Sequence, residues 1–123
     1  MNNLAVFEVV YNEREDLLFI HSEKSKTKES IEVIDGVVID IDRDNNLAGL
    51  EIFDASEFFA KMDSKINLNV LKNLNEIKIG LQKYRNYAFI TLGFKVDGMI
   101  VSEKMPPFSL KEYESPLVAS VST

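Results

Sequence analysis

Apolar and polar positions alternate in short runs along the first half of the chain, with the two-residue period of strands. Residues 4–11 gather Val6, Val9 and Val10 around the aromatic side chains of Phe7 and Tyr11. That β-branched and aromatic composition suits a strand. After a polar turn at 12–15, residues 16–22 place Leu17, Phe19 and His21 on one face and Leu18 and Ile20 on the other. The polar stretch 23–28 reads as a loop, and 31–34 as a short third strand. Asp35-Gly36 follows, the strongest hairpin signal in the chain. A two-residue turn of the mirror-image type needs positive φ, which this dipeptide adopts at little cost. In the fourth strand, 37–42, Val37, Ile39 and Ile41 face the core while Asp40 and Asp42 face water. A tight turn at 43–46 leads into a fifth strand, 47–53.

The period then changes. Asp54 stands where an N-cap accepts a bond from an orphan amide, with Glu57 at capping-box spacing and Ser56 as a competing cap. A short helix runs to about Met62, with Phe58, Phe59 and Met62 on its buried side. From 66 to 74 the leucines Leu68, Leu71 and Leu74 recur every third residue, which suits a further short helix or 3₁₀ segment. Alternation returns at 76–84, where Ile77, Ile79 and Leu81 oppose Lys78, Gly80 and Gln82. A long strand is predicted over 87–96. A second Asp-Gly, Asp97-Gly98, leads to another strand over 99–104. Pro106-Pro107 is read as ending the sheet. One helical turn is expected over 109–114, and a loose tail over 115–123.

The fold class that follows is α+β, mainly β. An antiparallel meander of about five strands with one short helix is followed by a second antiparallel unit of three strands. With 123 residues and 46% hydrophobic content, the chain suits one domain, 1–123, with a single core. The net charge of −6, from 20 acidic and 14 basic residues, disfavours non-specific contact with nucleic acid or anionic membranes. It leaves room for a local basic patch. The absence of cysteine removes thiolate chemistry and Cys-ligated metals, and fits a reducing cytoplasm. No signal peptide and no apolar run of membrane-spanning length is visible.

Between Tyr11 and Ser56 the motifs are specific enough to compare with a family. An opening strand ends in Tyr11 and is followed by an acidic turn and the apolar strand Leu17-Leu18-Phe19-Ile20. The hairpin Asp35-Gly36-Val37-Val38-Ile39-Asp40-Ile41-Asp42 comes next. A polar turn leads to the segment running from Leu47 through Gly49-Leu50-Glu51 to Asp54-Ala55-Ser56. These pieces resemble the small prokaryotic family catalogued as domain of unknown function 2283. The family usually has Ala-Leu-Tyr-Ile in the second strand, and often Gly where Asn45-Asn46 stand. The resemblance covers a little under half the chain and implies a fold more than a chemistry. Through suspected partnerships with small toxin-like proteins, it also implies a neutralising or regulatory role. It brings no catalytic residue.

Four groupings carry candidate chemistry. Asp40, Asp42, Asp44, Asn46 and Glu51 stand near the spacing of a calcium loop, with acidic residues at its first, third, fifth and twelfth places. Asn45 occupies the place of the usual glycine, and the preceding segment has strand period, so a solvated hairpin turn competes with the cation site. His21 is the only histidine, and Ser22 beside it points to the opposite face of a strand. A nucleophile–base pair between them is therefore not expected. Lys24, Lys26 and Lys28, and the cluster Lys83-Tyr84-Arg85-Asn86-Tyr87, combine charge with aromatic rings. Phe58, Phe59, Met62 and Leu68 make a candidate apolar patch for a partner; packing of the helix on the sheet competes for most of them, and leaves one of the adjacent phenylalanines for a second subunit or a flanking strand.

A small acidic cytoplasmic protein acting as a non-enzymatic interaction or regulatory, antitoxin-like module is the function expected. The alternative is a calcium- or small-ligand-binding protein using residues 40–51. No cofactor is expected. Expected partners are a second copy, as a homodimer, and a small basic protein. Neither membrane nor nucleic acid is expected.

Overall fold

In the computed structural model, which describes residues 5–96 and 98–109, the hairpin signals assemble into one antiparallel sheet. β1 (Ala5–Asn12) pairs with β2 (Leu17–His21) across the polar turn. The next loop carries the chain to β3 (Glu29–Ile34), which turns at Asp35-Gly36 into β4 (Val37–Ile41) and then β5 (Leu47–Phe53). Gly36 holds the positive φ, 81°, that this turn requires. β5 lies against β2. Two helices follow, α1 (Ala55–Met62) and α2 (Leu68–Lys72). β6 (Glu76–Lys83) then docks on the other side of β1, and β7 (Tyr87–Val96) and β8 (Met99–Lys104) continue the sheet. The order is β3-β4-β5-β2-β1-β6-β7-β8, curled into a half-barrel. The second three-stranded unit thus extends the first sheet through the β1–β6 pairing. Among the described residues, no helix is long and apolar enough to cross a membrane.

The inner face of the curl is the core. Leu18, Ile20, Val37, Ile39, Leu50, Ile52, Leu92 and Phe94 are fully buried there. α1 plugs the concave side with Ala55 and Phe59, and Phe59 meets Phe94 edge to face at 5.3 Å. Phe58 packs edge-on against Phe59 at 5.2 Å and is half-buried, so both phenylalanines serve the core. Ile66 and Leu71 seal the same side, while Leu68 stays exposed. Asn67 caps α2 by accepting the Val70 amide at 3.1 Å, which gives one of the asparagines there a structural role.

Two local expectations fail. Asp54 precedes α1 in the left-handed region, φ 52°, and its side chain accepts no capping bond. The cap comes instead from Asp16, in the β1–β2 turn. Its Oδ1 accepts the Ser56 amide at 3.0 Å, and its Oδ2 accepts the Ser56 hydroxyl at 2.7 Å. The pairing of Leu17 with Phe53 brings that turn to the helix start, a long-range fact that no local window contains. Asp54→Gly is therefore expected to stabilise the fold by about 0.5–1 kcal/mol, because Gly tolerates positive φ and no cap is lost. A cap at Asp54 would instead make the same change mildly destabilising, and thermal melting separates the two.

The sheet also does not end at the prolines. β9 (Phe108–Ser109) pairs with Tyr87 and Ala88 at the start of β7. Pro106 and Pro107 lack the amides of a ladder, so β8 breaks there. The Met105 amide, donating to the Ile90 carbonyl at 2.8 Å, steers the chain back, and Phe108 is buried. Ser109, expected in a helical turn, is strand. The rest of that turn, the tail over 115–123 and Leu4 lie outside the described residues.

Candidate functional site

Cross-strand pairing organises the outer face of the first half into rows. One row runs Asn12, Leu17, Phe53 across β1, β2 and β5. The next runs Val10, Phe19, Glu51, Val38, Glu32. A third runs Glu76, Glu8, His21, Gly49, Asp40, Ser30. The second and third rows contain no lysine or arginine. Val10, Phe19 and Phe53 are 59%, 36% and 45% exposed, so the middle of this face is apolar and open to solvent.

Carboxylates border the apolar surface in two close pairs. Asp40 was expected to face water, yet it is 3% exposed. The β4–β5 register shifts between Asp40 and Ile41, and a bulge of this kind re-aims side chains. Opposite Asp40 stands Gly49, whose missing side chain gives the carboxylate its room. Asp40 Oδ1 accepts the Ser30 hydroxyl at 2.5 Å. Glu51 reaches the same place. Burial first, and then the charge and hydrogen bond of Asp40, push its carboxyl above the ordinary range. Across His21, Glu8 is raised chiefly by a hydrogen bond shared with Glu23. His21 stacks on Phe19 at 5.3 Å, and its buried Nδ1 has no hydrogen-bond partner among the described residues. Among the described residues no serine hydroxyl or carboxylate holds that Nδ1, as the orienting partner of a general base would.

The acidic residues between 40 and 51 separate. Asp42 Oδ1 accepts the amides of Asp44 and Asn46, both at 2.9 Å, closing the turn, and Asn45 takes a positive φ of 62°. Asp44 and Asn46 are exposed at the turn. Among the five side chains, the contact between two of them is that of Asp40 with Glu51. Among the described residues no three His, Cys, Asp or Glu side chains are grouped to hold a metal ion. Lys24, Lys26, Lys28 and Arg43 surround a hollow of about 570 Å³, which Asp42 and Asp44 also line. Sequence reading missed the role of Gly49, whose signal was only a glycine inside a strand pattern.

By its fold the chain is a curled antiparallel half-barrel with a helical plug on one side and a mixed apolar and acidic face on the other. Residues 8–56 match the model of the family described as "Protein of unknown function (DUF2283)", the family the motifs between Tyr11 and Ser56 resemble. No curated protein and no solved structure matches the chain. The matched segment holds β2 to β5 and most of β1, and with them nearly all of the face described above.

Proposed function

We propose that the protein is a non-enzymatic interaction module of antitoxin-like or regulatory type, and that a small basic protein docks on the outer face of β1, β2 and β5. One observation carries the reading: the exposed apolar patch of Val10, Phe19 and Phe53, spread over two neighbouring rows, is bordered by carboxylates crowded together against their electrostatic preference. A partner with an apolar contact and basic rim would cover the first and relieve the second. Such complementarity speeds encounter and fixes orientation. A cytoplasmic location suits a chain without cysteine. Self-association belongs to the same proposal. β8 pairs only with β7 among the described residues and exposes Met99 and Ile100, so it offers an edge to a second copy.

Affinity co-purification of the tagged protein from its host at moderate salt tests the proposal, with recovery of a stoichiometric small basic protein expected. Recovery of the protein alone would sink it. Glu51→Gln gives a further expected outcome. Removing one of two facing carboxylates should raise stability at neutral pH by about 0.5 kcal/mol, while weakening the partner's hold. Because the Glu51 carboxyl is raised in the fold, wild-type stability falls as pH rises through that range. The gain from Gln should therefore vanish below about pH 4. A second reading, a hard-cation site, rests on the convergence of Asp40 and Glu51. Calcium titration followed by NMR tests it, and unmoved amides from 40 to 51 would end it.

A further inference from the structure

The second half of the sheet presents a different outer face. Tyr84 and Tyr87 close the β6–β7 hairpin and stack at 4.9 Å, with 19° between their planes. Phe89 continues the stack on Tyr84 at 5.8 Å, and the Lys104 ammonium lies 4.2 Å over the Phe89 ring. Both tyrosines remain exposed, at 46% and 44%. Register places Thr91 beside Lys104, and Gly93 between Lys78 and Ser102. Lys95 follows on the same face of β7, and a shallow hollow of about 160 Å³ lies between Lys78, Gly93 and Lys95. Lys78, Lys95 and Lys104 form no ion pair among the described residues. Glu103, the acidic residue of β8, turns to the opposite face toward Asp63. Glu76, two residues before Lys78 on β6, also lines that hollow, the one carboxylate among its two lysines.

We propose that the outer face of β6, β7 and β8 binds single-stranded nucleic acid, stacking bases on Tyr84 and Tyr87 and running the phosphate backbone along Lys104, Lys78 and Lys95. Stacked aromatic rings followed by a line of unpaired cations and small side chains are what an unpaired strand requires, because every base has a π-face and every linkage a charge. From Tyr87 to Lys95 the strand rises roughly 26 Å, which suits a short site at the low end of the ~4–16 nucleotides that single-strand platforms occupy. A duplex hides its base faces and gains nothing from the rings. The net charge of −6 had argued against nucleic acid. The acidic residues that cluster on the sheet's outer face lie mainly on the first half, however, so the local charge here is positive. The loop cations Lys24, Lys26 and Lys28 make a weaker site, because no aromatic ring lines their hollow, which Asp42 and Asp44 also share. This site is separate from the proposed docking face on β1, β2 and β5 and does not depend on it; it shares Ile100 with the β8 edge offered to a second copy.

Fluorescence anisotropy with labelled pyrimidine-rich ten-residue DNA and RNA strands, at 50 and 200 mM salt, tests the proposal on the full chain. Saturable single-strand binding is expected, with duplex of the same length bound more weakly. Tyr84→Ala with Tyr87→Ala should weaken binding by about ten-fold or more, and the Phe versions should retain it. Lys78→Gln with Lys95→Gln keeps the rings and should flatten the logarithmic salt slope by about 1.4. No binding at 50 mM salt would overturn the proposal, as would binding indifferent to both pairs of substitutions. Sedimentation of the same variants supplies the other outcome. If the lysine pair dissolves a dimer that oligonucleotide does not compete with, the face belongs to a second copy and the nucleic-acid assignment is wrong.

Discussion

Gly49→Ala is expected to destabilise the protein by about 3 kcal/mol or more. A Cβ at this position would lie 2.6 Å from the Ile20 carbonyl oxygen, 3.1 Å from Asp40 Oδ2 and 3.3 Å from the His21 Cα. The first obstruction is backbone in β2, where Ile20 sits opposite Leu50 of β5, so relief means parting the two central strands. The Asp40 side chain can move, but then it gives up the Ser30 hydroxyl and its place beside Glu51. Two results identify the cause. Asp40→Ala in the same chain should rescue little, because the carbonyl remains. Urea unfolding should show the loss as a lower midpoint with an unchanged slope. A loss under 1 kcal/mol would mean that the strands are not held as close as described.

Asp16→Ala should cost about 3 kcal/mol, lowering the melting temperature on the order of 10 °C. The carboxylate caps α1 through the Ser56 amide and hydroxyl, and its Oδ1 also accepts the Tyr11 hydroxyl at 2.5 Å. Without it, these donors and the helix start lose their acceptor together. The pH dependence follows from the same contacts. Burial alone raises the Asp16 carboxyl, but the bonds from Tyr11 and Ser56 outweigh it and hold it below the ordinary range. A depressed carboxyl contributes stability at neutral pH that is lost as pH falls through its folded value. Burial and then Asp16 push the Tyr11 phenol far above its ordinary range, so its contribution is lost as pH rises above about 10. Tyr11→Phe should cost about 1 kcal/mol and remove the alkaline part of the loss, leaving the acid part in reduced form. Melting from pH 3 to 11 checks both arms.

These two positions mark the boundary of what the sequence alone could reveal. Strand positions and facing were legible because period and turn chemistry are local. Val37, Ile39 and Ile41 point inward as the alternation requires, and Asp35-Gly36 makes its hairpin. Asp16 acts through Ser56, 40 residues away along the chain, and Gly49 lies against the Ile20 carbonyl, 29 residues away, and both pairs meet only once β2 lies against β5. The candidate face was hidden for the same reason. Val10, Phe19 and Phe53 each read as ordinary strand residues, and only the order β5-β2-β1 sets them side by side with Glu8 and Glu51. Asp42 was legible as a turn residue and as a cation ligand alike. Its bonds to the Asp44 and Asn46 amides place it in the turn. β9 escaped because two prolines end a ladder locally, while the pairing with Tyr87 that resumes it is distant.

The central claim is that the acidic and apolar outer face is the docking surface. Parallel co-purification of wild type, Phe19→Asp and Met99→Asp from the native host tests it most directly. Both residues are exposed, so both variants should fold, but only Phe19 lies among the carboxylate pairs. The expected result is a small basic protein retained by wild type and Met99→Asp and lost from Phe19→Asp. Retention by a folded Phe19→Asp protein, with loss from Met99→Asp, would contradict the claim and move the interface to the β8 edge.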